Sequence, residues 1–230
     1  MPYRKIPLVE TEIYHIFTKS IAGFKIFNSD HDFTRMIETI SFYTAENPPC
    51  KFSLFLEHKK KSKENDFPQS VYSKKIVKIL AYCIMPTHIH LILVQLKDNA
   101  ISQFANLVLK SYSKYFNTKY KRKGPLWEGR FKNVLVDTDE QLLHLTRYVH
   151  LNPVSAFLVD KPEDWKFSSY REYIGLVSKN KRICDFADYL NLDISSYKRF
   201  VEDHIAYQRE LEQIKHLILE PEPNSNAGLE

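Results

Sequence analysis

The alternation of apolar and polar positions divides the chain into a short series of strands and helices. Residues 12–21 carry Ile13, Tyr14, Ile16 and Phe17, a β-branched and aromatic run that predicts a first strand. Over residues 30–43, Phe33, Met36, Ile37, Ile40 and Tyr43 recur at three- and four-residue steps, the period of a helix with one buried face. Residues 46–71 break the pattern with Pro48, Pro49 and Pro68 and a lysine cluster, and are expected to form an irregular exposed excursion. Residues 76–85 and 88–96 are strand-like runs separated by Pro86 and Thr87, which suggests a hairpin. Residues 101–116 predict a helix with Phe104, Leu107, Val108, Tyr112 and Tyr115 on one face, and 131–136 a short strand. Residues 139–150 are helical, with Asp137 or Thr138 as the cap and an end near Pro153. Residues 185–219 read as largely helical, and the acidic stretch 220–230 as a disordered tail.

Strand, helix, strand, strand, helix, strand, helix is the order of an α+β, ferredoxin-like split-βαβ antiparallel sheet. The expectation is helices on one face of that sheet, followed by a C-terminal helical extension. The domain division follows: 8–178 as one domain with an insertion at about 46–71, 179–219 as the extension, and 220–230 as the tail.

Composition narrows the function classes. Five glycines, none in a GxGxxG or GxxxxGK spacing, exclude a Gly-rich nucleotide-binding loop. No apolar run approaches the roughly 18 residues of a membrane span, and the first residues do not resemble a signal peptide. Three widely spaced cysteines point to a reduced, cytoplasmic setting and lack the CxxC spacing of a structural zinc module.

The net charge of +5 is mild, but its distribution is not. Between residues 109 and 133 lie Lys110, Lys114, Lys119, Lys121, Arg122, Lys123, Arg130 and Lys132 against the single acid Glu128, a local +7, and the remainder nets −2. Tyr112, Tyr115, Phe116, Tyr120, Trp127 and Phe131 are interleaved with them. Cations for phosphates and flat rings for unstacked bases are what a single-stranded nucleic-acid surface needs. An amphipathic helix whose aromatics pack inward fits the same residues equally well.

Two groups could carry chemistry. His88 and His90, two apart on a strand, send both imidazoles to the same face, where they could share a divalent ion. His144, Tyr148 and Asn152 are spaced by four on a helix and form one polar stripe. A phenol ordinarily ionises near pH 10, so a tyrosine nucleophile needs a cation close by, and Arg147 is the candidate. Taken alone, each group is better explained without chemistry, the histidines as part of a polar sheet face and the stripe by packing and capping.

Together they resemble a family. The string YCIMPTHIHLIL (82–93) resembles the strand motif of the HUH endonucleases of the single-tyrosine class. Downstream, GPLWEGRF (124–131), YVHLNPV (148–154) and PEDWKFSSY (162–170) follow in the order of the REP-associated tyrosine transposases, relatives of the insertion-sequence-200-like enzymes. YHIF (14–17) and IFNSD (26–30) fit the opening strand and turn, so the resemblance spans about residues 8–178. It implies a DNA transposase, a metal-dependent endonuclease and strand transferase acting on single-stranded or hairpin DNA. His88 and His90 would hold Mg or Mn, with Asn152 as a third, more variable ligand. Tyr148 would be the nucleophile that forms a 5′-phosphotyrosine link. Lys110, Lys114, Lys121, Arg122, Lys123, Trp127, Arg130 and Arg147 are the candidate DNA contacts; Trp127, Arg130 and Phe131 fit equally well as residues that close a loop. His144 has no firm family role. A bacterial, nucleoid-associated location is implied, and a monomer and a homodimer are both open. The competing reading is a domesticated hairpin-DNA-binding protein that has lost cleavage. A relaxase or replication initiator fits the LNPV and DW-x-x-SS contexts less well.

Overall fold

The computed structural model describes residues 7–61 and 74–219, with side chains as far as residue 214. Four strands, β1 (Ile13–Lys19), β2 (Val77–Met85), β3 (His88–Gln95) and β4 (Lys132–Val136), form one sheet in the order β2-β3-β1-β4, with every neighbouring pair antiparallel. This is the split-βαβ sheet expected from the order of elements. β2 and β3 are joined by the expected tight turn at Pro86 and Thr87, and β3 is inserted between β2 and β1.

The helices are α1 (Asp30–Phe42), α2 (Phe52–Lys61), α3 (Ala100–Lys119), α4 (Asp139–Ser155), the single turn α5 (Tyr170–Tyr173), α6 (Ile194–Glu202) and α7 (Ile205–Leu219). They cover both faces of the sheet rather than one. The cause is visible in β3, which is apolar on both sides. Ile89, Leu91 and Leu93 pack with Tyr14 and Ile16 of β1 against α1 and α3. Ile92 and Val94 join Cys83 and Met85 of β2 against Leu142, Val149 and Leu151 of α4 and Tyr197 and Val201 of α6. A central strand buried on two faces needs a helical layer on each. Each fully buried Leu, Ile or Phe contributes about 1.5–3 kcal/mol, so both layers are tightly held.

Three local expectations change. The excursion at 46–71 contains a helix: Pro48 and Pro49 precede α2, and Phe52, Phe55 and Leu56 recur at helical spacing against Phe42 and the core. Its residues 62–71, and the tail 220–230, lie outside the described residues. The span 185–219 becomes helical only at Ile194, where Asp193 caps α6 by accepting from Ser196 N at 2.8 Å. Finally, α4 runs through Pro153 to Ser155 instead of stopping before it. Its start is capped by Thr138, whose hydroxyl accepts from Gln141 N, while Gln141 Oε1 accepts from Asp137 N.

The segment 165–170 protects the outer edge of β2. Ile84 N donates to Phe167 O at 3.0 Å, Ser169 N donates to Tyr82 O at 2.9 Å, and the Trp165 indole donates to Ile84 O at 3.1 Å. An edge that would otherwise present unpaired backbone groups is closed by the chain's own WKFSSY string.

Candidate active site

The pleat brings the site together. In β1, residues 13, 15, 17 and 19 share a face, and Phe17 pairs with His90 and Lys19 with His88 on β3. His88 and His90 therefore lie on the α4 side of the sheet, as their two-residue spacing requires. Their rings meet nearly at right angles, with centroids 5.1 Å apart. α4 crosses this face and presents Tyr148 edge-on to His90, at 5.7 Å and 90° between rings. One turn later the Asn152 carboxamide lies close enough to the His88 ring to favour its charged form, while its amide donates to Tyr148 O at 2.8 Å. The phenol, both imidazoles and the carboxamide thus converge within a single chain, and Tyr148, 37% exposed, remains open to solvent.

A third imidazole belongs to the group. His15, buried on β1, lies edge to edge with His90, ring centres 5.1 Å apart, and bonds to it, Nε2 to Nδ1, at 2.9 Å. His15 also lies edge-on to Tyr148, at 6.3 Å. On the other histidine, Thr87 Oγ1 occupies Nδ1 of His88 at 3.0 Å. The sequence alone does not single out His15, because its place beside His90 depends on how β1 and β3 pair.

Electrostatics keep these rings neutral. Burial holds the imidazoles of His15 and His88 down to about 4, with the charge of Lys19 adding to the effect on His88. His90 is pushed well below the ordinary histidine range by burial, and then by His88, His15 and Lys19. A neutral imidazole has a lone pair for a metal, and a protonated one has none. Two imidazoles and one carboxamide oxygen are a donor set of the kind that suits a divalent ion of the Mn type. Among the described residues no cluster of three or more His, Cys, Asp or Glu is placed to share an ion.

Arg147 does not serve Tyr148. It is buried and turns to α6 and α7, where its guanidinium lies 4.1 Å from the Phe200 ring centre and bonds to His204 Nδ1 at 3.0 Å. His144 is drawn the same way, with Nδ1 2.8 Å from Arg147, so it leaves the stripe expected to run through Tyr148 and Asn152. The cation whose charge reaches the histidines is Lys19, exposed at the end of β1.

The basic, aromatic stretch divides in two. Tyr112, Phe116 and Phe131 are buried in the core; the Tyr115 and Tyr120 hydroxyls and Lys119 all bond Asp32. Trp127 is half-buried and its indole donates to Ser113 Oγ at 3.0 Å. Arg122 donates to Pro125 O at 2.8 Å. These bonds tie the rings and both cations into the fold, and helical periodicity turns the buried aromatic face of α3 to the sheet. Lys110, Lys114, Lys121, Lys123 and Arg130 are exposed. Lys110, Arg130 and Trp127, with Asn106 and Ser113, line an open groove of about 730 Å³ beside α3. The loop carrying Arg130 is anchored to the end of β1, where Glu128 N donates to Lys19 O at 3.0 Å and Ile21 N donates to Leu126 O at 3.0 Å. Groove and histidines therefore lie at the same end of the sheet, on opposite faces.

Comparison with known proteins agrees with the resemblance in the sequence. Residues 51–152 match the family model of IS200-like transposases, a span that holds His88, His90, Tyr148 and Asn152. A protein of Haemophilus influenzae assigned as a REP-associated tyrosine transposase is 33% identical over 102 residues, 40% of this chain and 57% of that protein. The chain thus matches little more than half the length of this relative. Among solved structures, a REP-associated tyrosine transposase bound to a REP hairpin is 16% identical and covers 84% of this chain and 99% of its own, with a TM-score of 0.49. A protein of Deinococcus radiodurans assigned as a transposase is 12% identical, covers 65% of this chain and 95% of its own, and has a TM-score of 0.35. Among the described residues, no helix is long and apolar enough to cross a membrane.

Proposed function

We propose that this protein is a metal-dependent endonuclease and strand transferase for single-stranded DNA, working as a transposase with Tyr148 as nucleophile. One observation carries the reading: an open phenol lies edge-on to a pair of neutral imidazoles, 5.7 Å from His90, with Asn152 one turn further on the same helix contacting His88. Packing alone does not account for a tyrosine that is 37% exposed beside histidines held neutral by burial.

His88 and His90 would hold a divalent ion through Nε2, since Nδ1 of each is already engaged, and Asn152 would complete the protein's donors. Bound there, the ion would act as a Lewis acid on the scissile phosphate. The chain's own residues do the rest. The Tyr148 oxygen attacks phosphorus, an O–P bond forms, and the P–O3′ bond breaks. The phenolic proton passes to solvent, and the departing 3′ oxygen takes up a proton. The product is a 5′-phosphotyrosine and a free 3′-hydroxyl. Because the phosphodiester is exchanged for a phosphotyrosine ester, a second 3′-hydroxyl can reverse the step and join two DNA ends without ATP. Lys19 supplies positive charge beside the phosphate. The exposed cations of α3 and Arg130 would grip a hairpin, whose single-stranded flank reaches Tyr148 by passing the loop anchored on Lys19.

The test is incubation of the full chain with labelled hairpin DNA and Mn²⁺ or Mg²⁺, followed by denaturing electrophoresis. The expected result is a metal-dependent covalent adduct that is lost in Tyr148→Phe. An adduct that persists in that variant removes Tyr148 from the mechanism. Tight hairpin binding with no adduct in either metal favours the binding-only protein.

A further inference from the structure

The bond between His15 and His90 has a consequence for which nitrogen of His90 is open. A neutral imidazole carries one N–H and one lone pair. In the 2.9 Å contact between His15 Nε2 and His90 Nδ1, one nitrogen donates and the other accepts. If His15 donates, His90 keeps its own proton on Nε2, and the face toward Tyr148 and His88 offers no lone pair. If His90 donates from Nδ1, its Nε2 carries the open lone pair and His15 carries its proton on Nδ1. We propose that His15 is the positioning residue of this site: by accepting from His90 Nδ1–H, it fixes the His90 tautomer and ring orientation that leave Nε2 to a divalent cation.

Three observations support the assignment. The contact is buried, so water does not compete for His90 Nδ1. The rings lie edge to edge in nearly one plane, 17° apart, so His90 cannot rotate about its own axis without losing the contact. The strand register also fixes the pair: His15 faces Ile92 and Phe17 faces His90, which makes His15 and His90 diagonal neighbours on one sheet face. His88 has the same arrangement in simpler form, its Nδ1 engaged by Thr87. Metal-bound histidines characteristically donate their second ring nitrogen to such a partner, and loss of that partner weakens metal binding by roughly ten- to a hundred-fold.

The inference rests on the metal site proposed above, and its test separates the two. Mn²⁺ is titrated calorimetrically into the wild-type chain and into His15→Phe, His15→Gln and His90→Ala. In His15→Phe, Mn²⁺ binding should weaken roughly ten- to a hundred-fold; in His15→Gln, whose carbonyl can still accept, it should stay within about threefold of wild type. Unchanged binding in His15→Phe, or equal loss in Gln and Phe, overturns the positioning role and leaves the metal site standing. No Mn²⁺ binding by wild type, or binding untouched in His90→Ala, overturns both. Should His15→Phe fail to fold, ¹H–¹⁵N correlation of the Mg²⁺-loaded wild type decides: His15 should be protonated at Nδ1, and a proton on Nε2 overturns the proposal.

Discussion

Asp32 is a carboxylate with no exposed side chain, at the first turn of α1. It accepts from Lys119 Nζ at 2.7 Å, Tyr120 OH at 2.7 Å, Tyr115 OH at 2.8 Å and Ser29 Oγ at 3.0 Å. Burial opposes its ionisation, but these donors outweigh burial and hold the carboxyl down to about 2. The sign follows from linkage: a depressed carboxyl stabilises the fold fully above the ordinary aspartate value near pH 4, and the contribution is lost as pH falls toward 2. Asp32→Asn should cost about 3 kcal/mol at pH 7, near the low end for breaking a buried pair, because Lys119 is 34% exposed. Denaturant unfolding at pH 7 and pH 2.5 checks this; the difference between wild type and variant should shrink at the lower pH. The sequence had placed Tyr115, Lys119 and Tyr120 in a basic, aromatic track. Nothing in their own segment points to Asp32, more than 80 residues away, so a long-range partner turned three candidate DNA-binding features into a structural knot. The same limit hid His15. His88, His90, Tyr148 and Asn152 were legible because their spacings of two and four are local, whereas the His15–His90 contact depends on how two strands pair.

At the scale of elements, the nucleophile helix α4 is held from behind. His150 is fully buried, bonded at Nδ1 to Tyr197 OH and at Nε2 to Ser169 Oγ, both at 2.7 Å, and Tyr197 OH also donates to Thr146 Oγ1 at 3.0 Å. Arg147 adds its contacts with Phe200 and His204. α6, α7 and the WKFSSY segment thus pin the face of α4 opposite to the one bearing Tyr148. Removing a single hydroxyl tests this: Tyr197→Phe leaves His150 and Thr146 short of a partner and should cost about 1–3 kcal/mol in denaturant unfolding. Arg147→Gln should likewise destabilise the fold while leaving hairpin affinity unchanged; a selective loss of affinity would return Arg147 to the DNA interface. The hairpin, α1, α3 and the Thr138 cap could be read from periodicity and capping chemistry. α2 could not, because a context of prolines and lysines outweighed the short apolar rhythm of Phe52, Phe55 and Leu56. Nor could the second helical layer, since an apolar run such as residues 88–96 does not say which of its two faces will be covered first.

For the whole molecule, the net charge is less informative than its placement. The local +7 of residues 109–133 loses Lys119 and Arg122 to internal bonds, and Lys110, Lys114, Lys121 and Lys123 remain exposed on α3 and the turn after it. They lie on the face away from Tyr148, so grip and cleavage belong to different surfaces joined around the end of the sheet. The two should therefore separate experimentally. With all four lysines changed to Gln, the slope of log affinity against log salt for hairpin DNA should fall by about 3, since each neutralised phosphate contributes roughly 0.7–0.9. Adduct formation at saturating DNA should be unchanged, because none of the four touches the histidines or Tyr148. Lys19→Gln should do the reverse, lowering the cleavage rate at saturation with a slope change of at most about 1. An unaltered slope in the four-lysine variant would move the grip from α3 to the histidine face, where Lys19 of β1 and Lys132 of β4 are exposed.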